Sequence, residues 1–404
     1  MLATRWLALL IGLAVLLAAS PSLALSDAQQ LVVETWRLVN QGYVEPERLE
    51  AIDWRRLRQK TLERPISTST EAYDAIEAML APIGDAYTRL LRPEEYAALR
   101  SDTRGTVSGV GMQLGLAEGD HGIVVIAPLD DSPAAEAGIA AGWQVVAVNG
   151  QDAAGLGLEG TVAVLRGKPG TEVLLRLRPP AEPEREVVLR RRKVDLRPVR
   201  VRRLTVQGHH LGLLRITQFS EPVPEEVRQA LAALSGAAGE PPVEGLLLDL
   251  RNNPGGLVSA GVAVADAFLD NAAIVVTRER NGISAPLQAG GGQLFGGPML
   301  TLVNGGTASA SEILAGALQD AERSFLAGSR TFGKGLIQSL LPLGDGSGLA
   351  ITVARYVTPR GRDIQDQGIE PDLELQAPEP REPGGREDAW LQQAAARLAA
   401  DLQA

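Results

Sequence analysis

The chain has 404 residues, room for two or three domains at roughly 100–200 residues each. Its net charge of -10 argues against a nucleic-acid-binding protein, because phosphate contacts need a basic face. It has no cysteine, which excludes disulfide and thiolate chemistry, and only 4% aromatics, so its cores must be built from Leu, Val, Ile and Ala.

The chain opens with Arg5, an apolar run from Trp6 to Ala19, and the small-residue stretch Ser20-Pro21-Ser22-Leu23-Ala24. Charged start, short apolar middle and small-residue end make a secretory signal over 1–24, so the mature protein is expected to be exported. A retained membrane anchor is the alternative, although the run is short for a span of about 20 residues.

Residues 25–104 read as helical. Leu31, Thr35, Leu38 and Val39 share one face of a first helix, a second is expected over Trp54–Leu62, and a third over Glu71–Leu80, closed by Pro82 and Gly84. From Gly105 the texture changes to short apolar runs cut by Gly and Pro: Ile123–Ile126, Val145–Val148 and Val173–Leu177. Asn149-Gly150 marks a tight turn, and Ser132, Pro133 and Gly138 read as cap, first residue and stop of a short helix. This small β-rich module spans 105–192.

Over 193–376 strands alternate with helices. Leu211–Ile216, Gly245–Leu250, Ala273–Thr277 and Met299–Val303 are of strand length; Glu225–Leu234, Ala260–Leu269 and Ser311–Ala321 have helical texture. That alternation implies parallel strand pairs joined by crossover helices. Residues 377–388 are rich in Pro, Gly and charge and read as a linker, so that 377–404 comprises a linker and a last helix from Trp390 to Leu402.

Three segments carry possible chemistry. Ser309 follows a strand and opens a helix, where free N–H groups and the helix dipole suit an oxyanion. Ser309 with Glu312 three residues on is equally a capping box, which needs no function. Lys334 lies between Gly333 and Gly335 with Phe332, Leu336 and Ile337 nearby; desolvation there would lower its pKa toward that of a usable base, whereas a surface-turn lysine would be inert. The loop Asn253-Pro254-Gly255-Gly256 at a strand end exposes backbone N–H groups that suit an oxyanion or a phosphate, or forms a plain turn. The three histidines, His121, His209 and His210, all fall in expected turns, so a Ser-His site is unsupported. No paired-His spacing indicates a metal, and no cofactor is implied.

Together, Asp249-Leu250-Arg251-Asn252-Asn253-Pro254-Gly255-Gly256, the 303–313 segment around Ser309, Thr331-Phe332-Gly333-Lys334-Gly335-Leu336-Ile337-Gln338, and 358–372 resemble the C-terminal processing (tail-specific) serine peptidases in order and separation. The resemblance implies an α/β multidomain protein, with an N-terminal helical region, a PDZ module at 105–192 and an α/β protease core with crossover helices. It implies Ser309 as nucleophile rather than Ser311, Lys334 as base, Gln338 as the residue orienting the lysine, and the N–H groups of Gly256 and Ala310 as the oxyanion hole. Four residues separate Lys334 from Gln338, so a helical turn or bend is expected there, because a straight strand would hold them about 13 Å apart. Asp249 and Arg251 are assigned to structure. In the PDZ-like module Ser108, Gly109, Val110, Gly111 and Met112 match the loop that catches a peptide's terminal carboxylate, with Met112 in place of the usual aromatic.

The implied partners are protein substrates recognised by their C-terminus, with the membrane involved only through substrate proximity. The N-terminal motifs around Val39–Val44 and Asp85–Leu91 resemble the cyanobacterial and chloroplast branch, placing the protein in the periplasm or thylakoid lumen and making maturation of the photosystem II D1 precursor one expected activity. The alternative is a PDZ peptide-binding scaffold on an inactive protease-like core.

Overall fold

The computed structural model describes residues 25–404 except 86, 104–105, 117–121, 129–131, 140–142, 181, 196, 237–239, 381–382, 386 and 404. The signal reading of 1–24 and the turn reading of His121 lie outside the described residues. Among the described residues no helix is long and apolar enough to cross a membrane.

The N-terminal region has helices α1 (Asp27–Gly42), α2 (Pro46–Ala51), α3 (Trp54–Leu62) and α4 (Ser69–Leu80). Their amphipathic faces explain their packing: Leu31, Val32, Thr35 and Val39 of α1 are buried, as are Ala72, Ile76 and Met79 of α4. A short strand, β1 (Arg89–Leu91), and helix α5 (Pro93–Thr103) follow; β1 did not stand out from the surrounding helical texture.

The β-rich module contains β2 (Thr106–Gly109), β3 (Met112–Leu116), β4 (Ile123–Pro128), the single-turn helix α6 (Pro133–Glu136), β5 (Gln144–Val148), β6 (Gln151–Asp152), α7 (Ala153–Leu165), β7 (Glu172–Arg178), β8 (Arg185–Arg190) and β9 (Arg192–Asp195). Strands β3-β4-β5-β7-β8 form one antiparallel sheet, and β2 pairs with β9. The Asn149-Gly150 turn joins β5 to β6 with both residues at positive φ, and Ser132 caps α6 through Ala135 N–H.

The core opens with the antiparallel pair β10 (Val199–Val206) and β11 (His209–Ile216). Helix α8 (Val223–Leu234), β12 (Gly245–Asp249), α9 (Val258–Asp266), β13 (Ala273–Glu279), β14 (Gly282–Ile283), β15 (Leu287–Gln288), β16 (Met299–Val303), α10 (Ala310–Asp320), β17 (Phe325–Gly328), β18 (Leu336–Pro342), β19 (Gly348–Val357), β20 (Leu373–Glu374) and α11 (Ala389–Asp401) follow. The main sheet runs β10-β11-β12-β16-β17-β20, parallel from β11 onward. β12 is buried on both faces: Leu246 and Leu248 face α8–α10, while Leu247 faces α11. Helix α10 is buried at all but one of its positions, as a crossover helix between two sheets requires. The second sheet centres on β19, flanked by β1, β13 and β18. Its Leu349 and Ile351 belong to the same apolar cluster as α1 and α4, so the N-terminal helices are packed onto a core strand.

His209 and His210 start β11 rather than forming the turn, which is Gln207-Gly208. Both ends of the 377–388 stretch are tied down: Trp390 Nε1–H donates to the Ala377 carbonyl at 2.7 Å, and Asp388 caps α11. Asp388 also receives the fully buried Arg251 guanidinium at 2.6 and 3.0 Å, and Arg251 is held from the other side by Asp249 at 2.8 and 2.9 Å. Burial alone would raise the Asp388 pKa; Arg251 and the N–H groups of Gly384 and Leu391 outweigh it and hold the carboxyl below its ordinary range.

Breaking a buried ion pair from one side costs about 3–5 kcal/mol. Asp388→Ala should therefore lower the unfolding free energy by roughly that amount, read by chemical unfolding followed by circular dichroism. Because the folded pKa is depressed, the contribution of Asp388 is present above the unfolded carboxylate pKa and is lost as pH falls through the folded one. The difference between wild type and Asp388→Ala should thus shrink in acid.

Candidate active site

The candidate serine sits on the turn between β16 and α10, at the C-terminal ends of the parallel strands. Ser309 has φ 56° and ψ -119°, a conformation that costs a non-glycine residue about 1–3 kcal/mol and persists only where the surroundings over-determine it. They do. Ser309 N–H donates to Glu312 Oε2 at 2.9 Å, and its carbonyl accepts from Glu312 N–H at 2.8 Å, Ile313 N–H at 3.0 Å and Tyr356 OH at 2.9 Å. Ser311, two residues on, is fully buried, and its hydroxyl is spent on the Asn253 carbonyl at 3.0 Å.

The loop after β12 closes on this turn. Asn253 is its pivot: the carbonyl accepts from Ala308 N–H, the side-chain amide donates to the Ile216 carbonyl at 3.0 Å, and Oδ1 accepts from Gly255 N–H at 2.9 Å. Gly255 has φ 98°, and a Cβ there would lie 2.8 Å from Ser309 Cβ; at Gly256, with φ 135°, a Cβ would lie 2.0 Å from the Phe219 carbonyl oxygen. Only glycine lets this backbone come so close. Since Asn253 occupies the Gly255 N–H, the free donor of the pair is Gly256. Among the described residues neither Gly256 N–H nor Ala310 N–H has an acceptor.

Glu312 joins the serine turn to the lysine loop. This fully buried carboxylate accepts from Thr331 Oγ1 at 2.6 Å and Gly333 N–H at 2.8 Å through Oε1, and from Ser309 N–H and Lys334 N–H, each at 2.9 Å, through Oε2. The capping-box reading of Glu312 captured the bond to Ser309 and missed the three to the lysine loop. Tyr356, on β19, places its hydroxyl between the carbonyls of Ser309 and Lys334. Burial first, then the Glu312 charge, push the Tyr356 phenol well up, so it stays protonated as a donor.

Lys334 is largely buried. Desolvation, then the Arg89 charge, lower its pKa, against an opposing pull from Glu312. Its ammonium lies 4.7 Å from the centroid of the Tyr87 ring. Gln338 is on β18, so no helical turn carries it; the β18–β19 register skips Val353 of β19 between the Ile337 and Gln338 pairs. Gln338 Nε2 is buried and has no partner among the described residues.

His209 and His210 do not take part. They lie at the N-terminal end of β11, where Leu211 pairs with Gly245, whereas Ser309 and the Gly255-Gly256 loop follow the C-terminal ends of the adjoining parallel strands. Among the described residues no cluster of His, Asp and Glu could hold a metal ion.

In the β-rich module Gly109 ends β2 and Met112 begins β3. The intervening loop is fixed from below: Val110 is buried with its carbonyl accepting from Ala134 N–H, and the Gly111 carbonyl accepts from Ser132 Oγ, both at 3.0 Å. The N–H groups of Val110 and Gly111 have no acceptor among the described residues.

Comparison with known proteins identifies the family. Residues 210–375 match the model of Peptidase family S41, and residues 100–178 match the PDZ domain. A carboxyl-terminal-processing protease from a Picosynechococcus strain is 44% identical over 365 residues, covering 90% of this chain and 86% of the relative. The chain belongs to Peptidase family S41. Another member, the chloroplastic C-terminal processing peptidase of Tetradesmus obliquus, is 39% identical over 374 residues, 89% of this chain and 79% of that one. Among solved structures, a photosystem II D1 C-terminal processing protease superposes with a TM-score of 0.67 at 38% identity, covering 93% of this chain and all of the other. The protein is accordingly a serine-type, carboxyl-terminal-processing peptidase with a PDZ domain.

Three residues around this peptidase site escaped sequence reasoning: the bridging role of Glu312, Tyr356 behind it, and Tyr87 above Lys334. Hydrogen bonds to a charged group contribute about 1.5–3 kcal/mol each. Glu312→Gln presents N–H groups to donors that now meet oxygen. It should lower the unfolding midpoint by roughly 2–5 kcal/mol equivalent and abolish peptidase activity, whereas a surface control such as Glu322→Gln should do neither. Thermal unfolding and a peptide-cleavage assay on both variants check this.

Proposed function

We propose that Ser309 is the nucleophile of this peptidase and Lys334 its general base. The observation that carries the reading is the convergence of two loops on Ser309: Gly255 within Cβ contact on one side, and on the other the 331–334 loop, bound through Glu312. Ser309 Oγ bonds to the scissile carbonyl carbon as neutral Lys334 takes its proton. The oxyanion sits on the N–H groups of Gly256 and Ala310. Lys334 then gives the proton to the departing amine, and water, activated in the same way, hydrolyses the acyl-enzyme. Gln338 holds the amine in line by accepting one of its N–H groups at Oε1, which leaves the lone pair for the serine proton. Residues 25–104, 105–192, 193–376 and 377–404 act as helical region, PDZ domain, protease core and C-terminal segment.

The PDZ domain selects substrates by their free C-terminus, captured by the 109–112 loop, whose Val110 and Gly111 N–H groups, without acceptors among the described residues, suit a carboxylate. The signal-like 1–24 and the cyanobacterial and chloroplast relatives support export to the periplasm or thylakoid lumen. The solved neighbour acts, by its name, on photosystem II D1, so a D1-type precursor tail is the first substrate to assay.

Ser309→Ala should eliminate cleavage and labelling by a serine-directed phosphonate, while Ser311→Ala keeps part of its activity; equal loss in both would sink the assignment. Lys334→Met and Lys334→Arg should both be inactive, the arginine because it stays charged. The folded pKa of Lys334 is lowered, so its burial destabilises the native state fully below that folded pKa and less as pH rises toward the unfolded value. Lys334→Met should therefore be at least as stable as wild type at neutral pH, and wild-type activity should climb with pH; a clearly less stable Lys334→Met would mark a structural lysine.

Amidating the C-terminus of a substrate peptide removes the charge that two loop amides bind, at about 1.5–3 kcal/mol each. The expected result is a loss in kcat/KM of roughly a hundredfold or more, carried by KM. Equal kcat/KM for acid and amide would show that the terminus is not read.

A further inference from the structure

We propose that Tyr87 is the resting seat of the Lys334 ammonium, a positioning residue that the N-terminal region contributes to the active site. The inference rests on Lys334 being the general base. Lys334 Nζ lies 4.7 Å from the Tyr87 ring centroid and, among the described residues, makes no hydrogen bond or ion pair. Gln338, its expected orienting partner, makes no side-chain hydrogen bond to it among the described residues. The amine is thus parked on the ring and is engaged with neither Ser309 nor Gln338.

The ring is itself held in register with the strands that carry Gln338. Asp85 Oδ1 accepts from Tyr87 N–H at 2.9 Å, and Asp85 Oδ2 accepts from the hydroxyls of Thr88 and Thr352, each at 2.7 Å. Thr352 N–H donates to Thr88 Oγ1 at 3.1 Å, and Thr352 is the cross-strand partner of Gln338. Seat and orienting residue therefore share one anchor.

An aromatic face attracts a cation and holds a neutral amine far less. The seat consequently favours the protonated lysine, and deprotonation loosens the hold as it creates the base. The other groups facing this pair are Arg89 on β1, which with burial disfavours the charge; Glu312, which favours it; Tyr356, which binds the Lys334 carbonyl; and Asp85 and Asp366 beside Tyr87. Burial, then Asp366, Asp85 and Glu312, raise the Tyr87 phenol, so the ring stays neutral.

The test is the rate of Ser309 labelling by a fluorophosphonate as a function of pH, which reads the base without peptide binding. Tyr87→Phe keeps the ring and should superimpose on wild type. Tyr87→Leu should label about two- to tenfold faster well below the lysine's transition and converge on wild type in alkali. Pentafluorophenylalanine in place of Tyr87 keeps the shape and inverts the ring's charge distribution, so it should reproduce that acceleration even if Tyr87→Leu loosens the packing. Profiles identical to wild type, or uniform slowing at every pH, would overturn the seat. Lys334→Ala separates the two readings: lost labelling there, with unshifted Tyr87 variants, overturns the seat alone, while retained labelling overturns the base and the seat with it.

Discussion

One buried carboxylate sets the geometry on which the site depends. Glu312 binds the N–H groups of both Ser309 and Lys334 through a single oxygen, and the 331–333 segment through the other. A charge removed from water is tolerable only when its lone pairs are satisfied by strong donors, and four donors do so here. Tyr356 completes the clamp from the opposite polarity, with its hydroxyl between the carbonyls of the same two residues. The N–H and C=O groups of Ser309 and of Lys334 are therefore fixed by two side chains, and the strained Ser309 backbone has nowhere to relax.

Several features that look costly lie beside that clamp. Ser309 sits at positive φ, Lys334 is desolvated, and among the described residues Gln338 Nε2 is buried without a partner and the N–H groups of Gly256 and Ala310 lack acceptors. Polar groups a short distance away show the opposite behaviour: Arg251 has every charged hydrogen bond that Asp249 and Asp388 can give it. Natural sequences break local rules at functional sites, and these departures fall where the proposed nucleophile and base meet.

The core's strand–helix alternation was legible because burial on both faces of β12 and β16 leaves uninterrupted apolar runs, and because α10 needs an apolar surface all round. The segments that carry Ser309, Lys334 and the glycine pair were legible as separate pieces. How they are joined was not. Glu312 three residues after Ser309 satisfies a capping box, a local pattern that conceals bonds spanning 19 to 22 residues. The Lys334–Gln338 spacing suggested a helical turn or bend; Gln338 instead lies in β18, opposite a register shift in β19, and such shifts leave no periodic signature. Asp388 looked like part of a linker because its partner, Arg251, lies 137 residues away.

The same locality explains why the N-terminal region read as a separate helical unit. Its amphipathic faces are visible in the sequence, but the surface they cover is not. They cover β19: Leu349 and Ile351 point into the helices, Thr352 binds Asp85, and Tyr356 reaches the carbonyls of Ser309 and Lys334. One strand thus carries the packing of the N-terminal helices, the anchor of the Tyr87 turn and one arm of the clamp within eight residues. A change in helix packing need travel no further than that strand to move an aromatic ring against the lysine. A division into domains by sequence texture cuts through this unit, because texture records which faces are apolar and says nothing of what they pack against.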